Sequence, residues 1–276
     1  MPTVTPRTDS VEIAPIMGRR HEGRKWLAYA AAALAAFTPL WFMVAALGSK
    51  VGLWSWATGL GFLTRTIGVN LLYLTLALGV VVLLLGIFLM PRRRRAIVAG
   101  AAAVAVGLAG LAWGASVRAK AQSLPFIHDI TTDTQDPPVF AGRILAERAG
   151  VERVNTLDYV GKTDPGGRLV SVAQTQAYPD VRPLITDRSP DDAFRRAREV
   201  AQDLGWDIKD TDAEAGTIEA TDTTFWYGFE DDVVIRIRPG AGGGSVVDMR
   251  SVSRVGGSDL GANAERVRDF LEVFGA

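Results

Sequence analysis

The sequence predicts a membrane-anchored α+β protein: three transmembrane helices, then a two-layer sandwich in which helices pack an antiparallel sheet. Three observations predict it. Three apolar stretches, residues 26–48, 67–90 and 96–115, contain no Asp, Glu, Lys or Arg, and runs of about 20 such residues cross a ~30 Å hydrocarbon core as a helix. Four consecutive arginines, Arg92, Arg93, Arg94 and Arg95, separate the second stretch from the third. Beyond residue 189 the apolar pattern passes from helical spacing to alternation and back again, the order expected of helices packed on one sheet.

Taken in order, residues 1–25 form a polar cytoplasmic leader without periodicity, and are expected to be disordered. The first apolar stretch is too long for a signal peptide, and no small-residue cleavage site follows it before the next one. Pro39 is expected to kink that helix, its freed carbonyl satisfied by neighbouring helices. The connector at 50–66 carries Leu53, Trp54, Trp56, Leu60, Phe62 and Leu63. It reads either as a helix lying in the outer interface, where indole rings favour the headgroups, or as the start of the second span. In the third stretch Ala99, Ala103, Gly107, Gly110 and Gly114 make a smooth stripe, expected to pack inside the bundle rather than on a second copy.

Lys and Arg collect on the cytoplasmic side of a membrane. Arg19, Arg20, Arg24 and Lys25 precede the first stretch and the arginine run follows the second, whereas the intervening loop holds Lys50 and Arg65. The leader and the arginine run are therefore expected in the cytoplasm of a bacterial cell. The third helix then exits outward, and the rest of the chain lies in the periplasm.

Charge divides along the same line. The chain carries 30 Lys plus Arg and 30 Asp plus Glu; residues 121–276 hold 17 basic against 27 acidic, a net of −10, which leaves 13 against 3, or +10, for residues 1–120. An acidic exported domain excludes nucleic acid as a partner. The absence of cysteine excludes disulfides, thiolate nucleophiles and Cys-ligated metals.

Residues 116–140 are expected to be a juxtamembrane tether and 141–276 the folded domain. A short helix is expected at 141–149, a loop at 161–167 and an extended surface segment at 177–183. Ser189 then offers an N-cap hydroxyl, Pro190 sits at the first helical position, and Asp191 and Asp192 face the positive end of the helix dipole. Ala193, Ala197, Val200, Ala201 and Leu204 keep helical spacing until Gly205 ends the run. Residues 206–212 and 217–224 read as a hairpin around Glu214-Ala215-Gly216. Residues 232–238 alternate, with Val233, Ile235 and Ile237 on one face, and 246–254 form a fourth strand. A last helix at 263–274 presents Val267, Phe270, Leu271 and Phe274 on one side.

Several motifs resemble a known family. They are Phe229 with Asp231, Asp232 and Val233, the run from Arg250 to Gly256 (RSVSRVG), then Ser258, Asp259, Leu260, Gly261 and Asn263, with upstream Ala177-Tyr178-Pro179-Asp180 and Pro125-Phe126-Ile127-His128-Asp129. In these the chain resembles the domain-of-unknown-function 1499 family of bacteria and plastids. The resemblance implies an envelope-located domain without an assigned activity. It also implies a larger, often aromatic residue where this chain has Gly257. The succession of helix, Gly-Trp, strand, turn and strand is similar in architecture to the helix-grip domains of envelope assembly lipoproteins.

The candidate site is a polar cluster: Asp231, Asp232, Arg250, Ser251, Ser253, Arg254, Ser258, Asp259 and Asn263. Arg250 and Arg254 share a strand face about 13 Å apart. Pairing of the last two strands would let Arg254 hold Asp231 or Asp232. Ser258, Asp259 and Asn263 are candidates to cap the last helix. The cluster reads first as a staple locking sheet to helix, and second as an arginine site for a small anionic ligand or lipid. His128, Asp129 and Asp133 are weak candidates for a metal site. A serine hydrolase with His128 as base lacks any G-x-S-x-G elbow, and nothing calls for a cofactor. The partners expected are the lipid bilayer and an envelope protein or small ligand, and the expected role is that of a binding or envelope-interaction module.

Overall fold

The computed structural model describes residues 17–89 and 93–276. Most of the expected leader, and Arg92, lie outside the described residues. The chain divides into two compact units, Met1–Val44 with Phe62–Trp113, and Ala45–Gly61 with Gly114–Ala276.

The apolar part of the chain forms α1 (Met17–Lys50), α2 (Val69–Phe88) and α3 (Arg93–Ser123), with a π-helical segment, Ala57–Gly68, running directly into α2; residues 45–61 and 114–123 of these elements belong to the second unit and the rest to the first. Helical structure thus begins inside the expected leader, and the connector is an extension of the second helix, the second of its two readings. The stretches Trp26–Lys50, Ala57–Phe88 and Arg94–Ser123 are long and apolar enough to cross a membrane. Helices α2 and α3 approach to backbone contact. A Cβ on Gly100 would stand 2.5 Å from the Leu83 nitrogen, and one on Gly79 would stand 2.7 Å from the Val104 nitrogen. Such closeness is open only to glycine. Ala103, Gly107 and Gly110 of the expected stripe do face α2, but Gly114 has open space around it, and Gly100 replaces Ala99 in the seam. Buried Thr38 donates its hydroxyl proton to the Leu34 carbonyl and accepts from Thr75 at 2.7 Å, which ties α1 to α2.

The second unit carries six antiparallel strands: β1 (Asp129–Thr131), β2 (Leu184–Thr186), β3 (Asp207–Asp212), β4 (Thr217–Thr223), β5 (Glu230–Pro239) and β6 (Ser245–Ser253). Their order is β1-β6-β5-β4-β3, with β2 on the far end of the same β6 edge. Four strands were expected. The two extra ones are three residues each, too short to show a period.

One face of the sheet is apolar. Ile218, Ala220, Val233, Ile235, Ile237, Val247 and Met249 pack against α6 (Pro190–Asp203) and α7 (Ala262–Gly275). The Ser189 hydroxyl accepts from the Asp192 nitrogen, as the N-cap pattern required. Phe270 stacks on Trp206 with ring centroids 5.8 Å apart; burying a side chain of that size is worth about 1.5–3 kcal/mol. Helix α5 (Val170–Ala177) joins this layer through Val170 and Ala173.

Alternation sends the remaining residues to the opposite face, which is also covered. Helix α4 (Gly142–Ala149) and the segment 133–160 lie over it, and Phe140, Ile144, Val234 and Val252 form a small second cluster. The domain therefore has three layers rather than two. Nor do residues 116–140 form a tether. Helix α3 continues to Ser123, β1 pairs with β6, and Ile127, Asp129, Ile130, Thr131 and Thr132 are buried.

Candidate functional site

The β5–β6 register sets Asp231 opposite Ser253, Asp232 opposite Val252 and Val234 opposite Arg250. Alternation then splits the expected cluster between the two sheet faces.

Asp232, Arg250 and Arg254 belong to the second face. Asp232 is fully buried, and Arg254 reaches it with Nε and Nη2 at 2.8–3.0 Å. The same guanidinium donates to Glu230 at 2.6 Å, to Glu147 at 2.9 Å and to the Thr221 hydroxyl at 3.1 Å. Arg148, from α4, closes on the other Asp232 oxygen at 2.7 Å and on the Asn155 carbonyl at 2.6 Å. Burial alone would lower the Arg254 pKa, but Asp232, with Glu147 and Glu230, raises it above the ordinary guanidinium value. Arg254 is thus held as a cation. Glu147 is pushed up by burial and pulled down further by Arg254 and Lys209, so it ends below the usual carboxyl range.

Arg250 is 2% exposed and forms a fork on Asp129, with Nε and Nη2 at 2.9 and 2.8 Å. Its Nη1 also donates to the Pro138 carbonyl and its Nη2 to the Leu157 carbonyl, while the rings of Phe140 and Tyr159 lie 5.6 and 5.7 Å from its central carbon.

Asp231, Ser251, Ser253 and Asn263 lie on the first face, where α7 crosses the sheet. Arg266 of α7 holds Asp231 at 2.8 Å and Asp222 at 2.7 Å. The Asn263 amide is fully committed. Its oxygen accepts from Ser251 at 2.6 Å and from Arg266 at 2.7 Å, and its nitrogen donates to Ser253 at 2.9 Å and to the His128 carbonyl at 3.1 Å. Asp259 caps α7 by accepting from the Gly261 and Asn263 nitrogens, and burial pushes its carboxyl above the usual value. Ser258 makes a weak local bond to the Leu260 nitrogen at 3.4 Å, and Asn263 pins the sheet instead of capping.

The three metal candidates go to separate places. Asp129 holds Arg250; Asp133 accepts from the Gln135 and Asp136 nitrogens and faces Arg236 and Arg238. His128 faces the Gly257 carbonyl with Nδ1 at 3.2 Å and Lys162 with Nε2 at 3.1 Å. Because an ammonium can only donate, Nε2 accepts and Nδ1 carries the proton. Burial, then Lys162, lowers the His128 pKa. Among the described residues no group of three His, Asp or Glu side chains is placed to hold a metal.

Sequence reasoning missed Arg148, Arg266, Glu147 and Asp222. A signal was present for the first two. Arg148 follows Ile144 by four residues, and Arg266 lies three from Asn263, so each sits on the buried side of its helix among apolar neighbours.

The polar network begins at Asp129 and ends with α7, and a family model described as a protein of unknown function, DUF1499, matches residues 129–274, more than half of the chain. The chain belongs to the DUF1499 family. No curated protein matches it. The matched DUF1499 region opens on the residue that Arg250 grips, consistent with β1 being part of the domain. At Gly257 the space that a side chain would take is filled from elsewhere. The Phe126 ring comes within 2.5 Å of where a Cβ would be. An aromatic group therefore covers this spot, supplied by the segment before β1.

Proposed function

We propose that this DUF1499 chain is a non-catalytic interaction module of a bacterial inner membrane. Three spans hold the domain in the periplasm, where it binds another envelope component through its surface. The observation that carries this reading is the saturation of the polar cluster. Arg250 and Arg254 are buried, and each is already paired with carboxylates of the domain, Arg250 with Asp129 and Arg254 with Asp232, Glu147 and Glu230, which favours an internal staple over an anion site. His128 has its accepting nitrogen engaged by Lys162, which is not the arrangement of a general base poised over a serine. The placement follows the positive-inside rule, with a basic first part and an acidic domain.

Two measurements test it. A reporter active only outside the cytoplasm, fused after Ala276, should be active. A photo-reactive residue at exposed Ile185 or Val160 should give a discrete adduct in intact cells. A silent reporter overturns the placement, and the absence of adducts from a scan of the exposed surface overturns the interaction role.

A further inference from the structure

The β4–β5 turn is unlike the rest of the domain surface. Its sequence is Phe225-Trp226-Tyr227-Gly228-Phe229, five residues without a charge. Phe225 and Trp226 are 64% and 47% exposed, although large aromatic side chains ordinarily go inward. The turn is also tightly built. Thr224 pairs its nitrogen with the Phe229 carbonyl, and its hydroxyl donates to the Trp226 carbonyl while accepting from the Phe229 nitrogen. Tyr227 is held at φ 62°, a left-handed conformation costly for a bulky residue, followed by Gly228 at φ 66°. The Thr224 bonds close the turn around these two positive-φ residues.

Within the same compact unit this turn packs on the end of α1 and the connector that follows. The Lys50 amine lies 4.9 Å from the Phe225 ring centroid, and Trp56 lies 6.0 Å from Phe229. A Cβ on Gly228 would stand 3.1 Å from the Lys50 Cα, so glycine permits this approach. Lys50 is the last residue of a stretch long and apolar enough to span a membrane, and Val51 and Leu53 just beyond it are also exposed. Indole rings favour the boundary between headgroups and acyl chains, phenyl rings bury into its apolar side, and a lysine amine reaches past them to the water.

The geometry points to the β4–β5 turn as a membrane-interface anchor: Phe225 and Trp226 enter the headgroup region of the leaflet where α1 ends, and seat the domain on the lipid surface. This rests on the reading that α1 crosses a bilayer. The turn at Gly240–Gly244 is at the opposite end of β5, about 30 Å away along the strand, which has 10 residues at ~3.3 Å each.

The absence of native cysteine makes the test direct. Full-length chain in liposomes is spin-labelled at Trp226→Cys, at Phe225→Cys, at Ala241→Cys in the far turn, and at Leu40→Cys within α1. Collision rates are measured with oxygen, which enters lipid, and with a neutral nickel chelate, which stays in water. Labels at 225, 226 and 40 should favour oxygen several-fold, and the label at 241 should favour the chelate. If 225 and 226 behave like 241 while 40 reads as lipid, the anchor is wrong and the span stands. If 40 also reads as aqueous, both fall. Labels at 225 and 226 shielded from both reagents would mean that protein covers the turn, which also overturns the anchor.

Discussion

Replacing Arg250 with methionine separates a structural role from a ligand site. Asp129 is 1% exposed and receives both arms of the Arg250 guanidinium. The substitution keeps much of the side-chain volume between Phe140 and Tyr159 but leaves that carboxylate buried without its cation. Breaking a buried pair from one side costs about 3–5 kcal/mol, and the Pro138 and Leu157 carbonyls lose a donor as well. Against a total stability of about 5–15 kcal/mol for a domain, that is a large fraction. Asp129→Leu should cost a similar amount. The double variant should cost less than the two singles summed, by about 1–3 kcal/mol, because neither charge is then stranded. Arg254→Met should be milder, since Asp232 keeps Arg148 at 2.7 Å and the Thr221 hydroxyl at 2.9 Å. The assay is denaturant unfolding of the detergent-solubilised chain, read by hydrogen exchange in peptides covering β1 and β6. An Arg250→Met domain within about 1 kcal/mol of wild type, or strictly additive losses, would refute the argument, since a pair worth keeping must couple.

Four further outcomes follow from the same contacts. Asn263→Leu removes four hydrogen bonds at the α7–sheet contact and should cost about 2–3 kcal/mol, with α7 amides losing exchange protection before those of α6. Gly216→Ala, at φ +67° and with its new Cβ 2.4 Å from the Ile237 carbonyl oxygen, should lower stability by more than the ~1–2 kcal/mol of a left-handed residue alone, measured by the unfolding midpoint. For His128, whose folded pKa lies below the ordinary 6.5 through burial and Lys162, the unfolded chain binds the proton more readily. Its contribution is therefore present above 6.5 and lost as pH falls through the folded value; His128→Gln should flatten that part of a stability-against-pH curve. Gly100→Val places side-chain atoms on the Leu83 backbone and should lower the thermal midpoint of the helical unit in detergent, whereas Gly114→Val, in open space, should not.

Much of the domain was legible because its signals are local. The Ser189 cap, the Glu214-Ala215-Gly216 turn and the alternation of Val233, Ile235 and Ile237 each fix an element within a few residues. Strand pairing brought Arg254 to Asp231 or Asp232, and the register, which puts the two aspartates on opposite faces, leaves Asp232 as its partner. The second covering layer did not follow, because Arg148, Glu147, Asp232 and Arg250 are charged, and periodicity arguments place charged residues in solvent. Nor could β1 be read. Asp129-Ile130-Thr131 is too short for alternation to show, and its grip on Arg250 spans 121 positions of sequence. Arg266 as the partner of Asp231 required knowing how α7 crosses the sheet, which no spacing within either element reveals.

The sealed second layer has one more consequence. Dissolved electrolyte weakens attraction between charges only where ions can come near them. Asp129, Asp232, Arg148 and Arg250 are shut away beneath α4 and its flanking segment. Brine strong enough to erase rim contacts such as Lys120–Glu265 should leave these pairs untouched, so the domain is expected to keep its shape across large swings in ionic strength.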